Sequence, residues 1–227
     1  MELGDNRQTD GPRESGEYRL REFASELRAA DVDVALLTYA VDVYYLAGTS
    51  QPSTLLVTRD GSATMLVSRN VEGARQESWV REIGECPSFK GVVDTLAEKG
   101  CTGGVIGICG DVTTADNFIR IRESFPRARF VDVATLLRKV RMIKDDDEIR
   151  RIREAARIAD IGHSAARENL RPGVSELQLA GEIELEMIRA GGDGYILLSI
   201  FQAKSKLVPG CPTWRVDLSS SRCYPSI

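Results

Sequence analysis

The chain has 227 residues, 42% hydrophobic and 28% charged, with a net charge of -4. That length allows one large domain, or one domain and part of a second, and the apolar fraction is enough for a core without disulfides or metal. The mildly acidic balance argues against nucleic acid as a partner, and no apolar run approaches the ~20 residues of a membrane span.

Residues 1–16 are polar, lack a hydrophobic centre, and read as a disordered tail rather than a signal peptide. Leu20, Phe23, Ala24 and Leu27 then recur at helical spacing, predicting an amphipathic helix over 17–30. Val32–Tyr39 is short, apolar and rich in β formers, which predicts a buried strand. Val43–Leu46 runs into Gly48 as a short helix with a glycine stop. Leu55–Val57 and Met65–Val67 flank Asp60-Gly61, the signature of a β-hairpin.

Helices and strands alternate from there. The pattern predicts a helix at 71–78, a weak strand at 80–85, and a helix at 89–99 ended by Gly100. A strand at 105–109, a helix at 115–125 stopped by Pro126, a strand at 130–133 and a helix at 136–142 complete it. Such alternation predicts an α/β fold, a mixed sheet flanked by helices.

Beyond Lys144 the register changes. Ile149, Ile152, Ala156, Ala159, His163, Ala166 and Leu170 form a stripe that predicts one long helix. Arg171-Pro172-Gly173 ends it, and Ser175 with Gln178 is a capping box that starts another helix, running to Ala190. A domain boundary is expected near residue 143, giving a tail at 1–16, a first domain at 17–143 and a second segment at 144–227. There is no internal repeat.

Residues that invite chemistry have plainer explanations. His163, the only histidine, falls on the apolar stripe and is expected to pack against a core or helix partner rather than to bind a ligand. Asp145, Asp146, Asp147 and Glu148 suggest a cation site, but consecutive helical positions point about 100° apart. They fit better as acids that offset the positive end of a helix. Glu182 and Glu186 share a helical face, yet no histidine or third carboxylate joins them, so a solvated surface is expected. Gly104, Gly107 and Gly110 surround the strand at Val105 without a following Gly-Lys-Ser/Thr, which makes a phosphate loop the weaker reading. Cys86, Cys101, Cys109, Cys211 and Cys223 include no Cys-x-x-Cys pair, so small buried thiols in a reducing cytosol are expected.

Three stretches carry a resemblance to a known family. They are Tyr44-Tyr45-Leu46-Ala47-Gly48 with the hairpin LLVTRDGSATMLVS, the junction VRMIKDDDEIRRIREAARIAD, and RPGVSELQLAGEIE. Together they resemble the creatinase, prolidase and aminopeptidase P family over residues 17–194. The resemblance implies a creatinase-like amino-terminal domain, then the opening of an α+β "pita-bread" domain. In that family the second domain holds a divalent metal pair (Mn, Co or Zn) through two Asp, one His and two Glu, and activates water against peptides with Xaa-Pro bonds. It also implies a homo-oligomer, a dimer; the charge, hydropathy and cysteine readings above add a cytoplasmic setting with no nucleic-acid or membrane partner.

Here the chain departs from the family. After Gly194 the only acidic residue is Asp217, and no histidine follows His163. Pro209 stands where many members have a histidine, and the residues after Arg215 lose the expected pattern. The expectation is therefore an incomplete second domain with no catalytic, cofactor-binding or metal residue, from a truncated or frame-shifted reading frame or an isolated domain. The segment after Gly194 is expected to be poorly ordered. Two alternatives stand beside this reading: a non-catalytic dimerisation or regulatory module, and an enzyme with an unrelated site using His163.

Overall fold

The structure, a computed structural model, describes residues 11–192. It divides into two compact units, Met1–Ile149 and Arg150–Ile227.

The first unit is built on a six-stranded sheet. Its strands are β1 (Val34–Leu37), β2 (Ser53–Thr58), β3 (Ala63–Val67), β4 (Glu82–Glu85), β5 (Val105–Ile108) and β6 (Arg129–Asp132), in the order β4-β3-β2-β1-β5-β6. β2 pairs antiparallel with both β1 and β3, while the β3–β4, β1–β5 and β5–β6 pairs are parallel. The β2–β3 hairpin is the one Asp60-Gly61 marks; Gly61 sits at φ +94, and Asp60 Oδ1 accepts from Ser62 N at 3.0 Å.

Helices cover both faces. α1 (Pro12–Ala29), α2 (Ala40–Ala47), α3 (Val71–Glu77) and α6 (Ala134–Met142) lie over one face, and α4 (Phe89–Glu98) and α5 (Ala115–Ser124) over the other. Strand side chains alternate between the two layers. Ala35, Leu37, Leu55, Val57, Met65 and Val67 pack under α1 and α2, whereas Val34, Leu36, Leu56, Leu66 and Ile106 pack under α4 and α5. Burial on both faces is why these strands read as continuous apolar runs.

Helix α1 starts earlier than the sequence suggested. Gly11 is its N-cap and Pro12 occupies the first turn, where a missing N–H costs nothing. Ser15 is fully buried, and Gly16 lies so close under the Trp79 indole that a Cβ there would overlap the ring. Part of the stretch expected as a tail is thus helical and packed; residues 1–10 lie outside the described residues.

In the second unit, α7 (Asp146–Asn169), whose first turn belongs to unit one, is followed by α8 (Glu176–Arg189). Ser175 and Gln178 form the expected capping box at the start of α8. The buried seam of α7 is a correction. Gly162 and Ala165 are buried and Ile158 half-buried, while Ile152 and His163 are exposed. Small residues set this face: a Cβ on Gly162 would come within 2.6 Å of Met187 Sδ and 3.4 Å of Ile183 Cγ2. Close approach to α8 outweighed the larger side chains of the predicted stripe. The segment expected to be poorly ordered, after Gly194, lies outside the described residues.

Candidate functional site

β1, β5 and β6 run parallel, so their carboxyl ends emerge together. From β1 the chain turns to α2 on one face of the sheet, and from β5 to α5 on the other. Divergent exits of this kind open a crevice between neighbouring strands, the usual ligand position in open α/β sheets. A cavity of about 380 Å³ lies here.

Four charged side chains meet in it as two pairs. Arg141 Nη1 donates to Asp42 Oδ1 at 3.2 Å, and Arg138 Nη1 lies 3.3 Å from Asp111 Oδ2. Asp42 is buried on α2, and burial raises its pKa despite the opposing charge of Arg141 and a hydrogen bond from the Cys109 thiol. Cys109 closes the floor. Burial first, then the charges of Asp42 and Asp111, push its thiol up to about 12. It is a packed thiol, not a nucleophile.

A second cluster, joined to the first through Arg141 and Tyr45, ties α1 to the start of α7. Arg19 Nε donates to Asp145 Oδ2 at 2.8 Å, and the other oxygen, Oδ1, accepts from Glu148 N at 2.9 Å. Glu148 Oε2 in turn accepts from Asp145 N at 3.0 Å, completing a capping box for α7. The Arg19 guanidinium stacks 4.8 Å from the Tyr45 ring centroid, with Arg141 at 5.3 Å. Burial lowers the pKa of Arg19, but the hydrogen bond and charge of Asp145 and the charge of Glu148 more than offset it, so the net shift is upward. Tyr45 is pushed up to about 12, chiefly by burial.

The other residues weighed in the sequence fall as follows. His163 is exposed rather than packed, and among the described residues no Ser, Cys or carboxylate hydrogen-bonds to it. Glu182 is exposed, and Glu186 Oε1 accepts from Arg189 Nη1 at 2.7 Å on the surface. Gly107 is a packing glycine, since a Cβ would come within 2.5 Å of Val133 Cγ1. Gly104 faces the Asp33 carboxylate, and Gly110 N donates to Asp132 Oδ1 at 3.0 Å, surroundings that repel phosphate. Cys86, Cys101 and Cys109 are free thiols. Asp217, Cys211 and Cys223 lie outside the described residues.

Among the described residues, no group of three or more His, Cys, Asp or Glu side chains could hold a metal ion. The set of two Asp, one His and two Glu is therefore not met among those residues.

The sequence places Asp145 and Glu148 at a helix start, as they stand at the beginning of α7, but shows neither their link to Arg19 nor the cavity. For the cavity there was no signal, because its residues come from the start of α2, the loop after β5 and α6.

Residues 19–143 match the Creatinase/Prolidase N-terminal domain, and residues 150–209 match Metallopeptidase family M24. Creatinase of Bacillus sp. (strain B-0618) is 31% identical over 92% of this chain and 56% of its own length. The solved Xaa-Pro dipeptidase of Bacillus anthracis superimposes with a TM-score of 0.72 at 27% identity, over 79% of this chain and 50% of that one. A solved dipeptidase of Pyrococcus horikoshii OT3 gives 0.63 at 29%, over 78% and 51%. The chain thus spans about half the length of these relatives. With residues 19–143 matched to the Creatinase/Prolidase N-terminal domain and the metallopeptidase match following in the same chain, the chain belongs to the creatinase/prolidase family.

Proposed function

We propose that this chain is a protein of the Xaa-Pro peptidase kind within its family, and that its 227 residues turn over no such peptide by themselves. The observation that carries the first half is the order of the two family matches, 19–143 and then 150–209, in one chain. The second half rests on residue inventory. One histidine is present in the whole chain, and one acid, Asp217, follows Gly194. In a full-length relative a divalent metal pair would supply the activated water for attack on the amide carbon. In this chain the first unit would act as scaffold, in the cytoplasm.

The test is hydrolysis of an Xaa-Pro dipeptide by the purified chain, with and without manganese, cobalt or zinc, alongside metal analysis. Creatine is included because of the creatinase relative. No turnover and no retained metal are expected. Metal-dependent cleavage would overturn the reading.

A second reading, a dimerisation or regulatory module, is favoured by one feature of unit two. Leu177, Leu185 and Ile188 are exposed along one side of α8, while Ile183 and Met187 face α7. Apolar stripes of this kind promote association. Light scattering decides it: a dimer supports the module, and a well-folded monomer at all concentrations rejects it.

A further inference from the structure

We propose that the cavity at the carboxyl ends of β1, β5 and β6 binds a small zwitterion, a free α-amino acid with an aliphatic side chain. The proposal is independent of the hydrolase reading, since every residue it uses lies in unit one.

Position comes first. The chain leaves β1 and β5 toward opposite faces, so the crevice between their ends is left uncovered by either crossover. Its volume of about 380 Å³ falls at the lower end of the roughly 300–1,000 Å³ of small-molecule pockets. A ligand this size limits the candidates to metabolite-sized molecules.

Charge comes second. Arg138 and Arg141 are three residues apart on α6 and project from one side of the helix into the same cavity. Among the described residues each makes a single side-chain ion pair, to Asp111 and Asp42 respectively. A guanidinium carries five N–H donors in a fixed fork, so both have donors left for a carboxylate. Opposite them, Asp42 and Asp111 have acceptor capacity left for an ammonium. Positive charge therefore comes from α6, and negative charge from α2 and the loop after β5. A simple anion would meet two carboxylates, and a simple cation two guanidiniums; each carries a like-charge penalty. A molecule bearing both charges on neighbouring atoms avoids both.

The apolar wall comes third. Val41 and Val112 are 45% and 37% exposed at the cavity, and Leu137 is buried in it. Aliphatic surface of this size beside four charges suits a branched aliphatic side chain, which would cover what water now wets. Cys109 is spent on its hydrogen bond to Asp42 and plays no covalent part.

The experiment uses the full chain labelled with ¹⁵N and titrated with L-leucine, followed by backbone amide shifts. Two analogues serve as probes: L-leucine methyl ester, which lacks the carboxylate, and 4-methylpentanoate, which lacks the ammonium. The expected result is saturable shifts confined to amides around Val41, Val112 and Arg138, with at least about tenfold weaker binding of each analogue. Arg138→Gln and Asp111→Asn remove an exposed pair, so thermal unfolding should be nearly unchanged while L-leucine binding weakens by a similar factor. Absence of saturable shifts, shifts centred elsewhere, or equal binding of 4-methylpentanoate would each overturn the proposal. So would L-leucine binding by either variant as tight as by the parent chain.

Discussion

Arg19 and Asp145 stand 126 residues apart and form a buried ion pair at 2.8 Å. Asp145 uses its second oxygen to cap α7, so one carboxylate anchors α1 and starts the next helix. Removing one member of a buried pair leaves an uncompensated charge, which typically costs about 3–5 kcal/mol. Arg19→Met should therefore destabilise unit one by a few kcal/mol in urea unfolding. Asp145→Asn should cost less, because Asn caps a helix about as well as Asp. The double substitution should fall well short of the sum, which a double-mutant cycle reads directly. Additive losses would mean the two residues act separately.

Gly48 is held by two constraints at once. It ends α2 at φ +80, and a Cβ there would overlap the Trp79 ring, whose Nε1 donates to Leu46 O at 2.7 Å. Left-handed backbone costs a non-glycine residue about 1–2 kcal/mol, and overpacking about 1–3 kcal/mol more. Gly48→Ala should lower stability by the sum of both. In a Trp79→Ala background only the backbone part should remain. Equal costs in both backgrounds would show that the ring gives way freely.

Cys109 should resist alkylation. With its thiol pushed up to about 12, almost no thiolate forms near neutral pH. Iodoacetamide at mildly alkaline pH should label Cys101, which is half-buried, before Cys109. Mass mapping of the peptides checks this, and Cys109 should label fully only after denaturation. Early labelling at Cys109 would contradict its burial.

Asp132 links strand end to helix start. Its Oδ1 accepts from Gly110 N at 3.0 Å and from Ala134 N at 2.9 Å, and these hydrogen bonds hold its pKa below the usual carboxylate range. A depressed native pKa means that the stabilisation is complete above the unfolded value of about 3.9. It is lost as pH falls through the lower native value. Asp132→Ala should cost about 0.5–2 kcal/mol at neutral pH, the range of a lost cap. The difference from the parent chain should vanish in acid, so a constant difference across pH would reject the assignment.

The elements that local pattern determines were legible without coordinates. The hairpin at Asp60-Gly61, the glycine stop at Gly48, the capping box at Ser175 and the alternation of strands and helices all depend on residues within a few positions. Periodicity, turn chemistry and caps act at that range, and so a single chain reveals them. The face of α7 could not be read this way. The stripe through His163 was the more apolar, but Gly162 let α8 approach, and packing distance decided. The pairing of Arg19 with Asp145, and the meeting of Asp42, Cys109, Asp111, Arg138 and Arg141, depend on which strands lie side by side. Strand order is a property of the whole sheet. It is chosen by burial on both faces and by crossover geometry, neither of which leaves a mark at any one position.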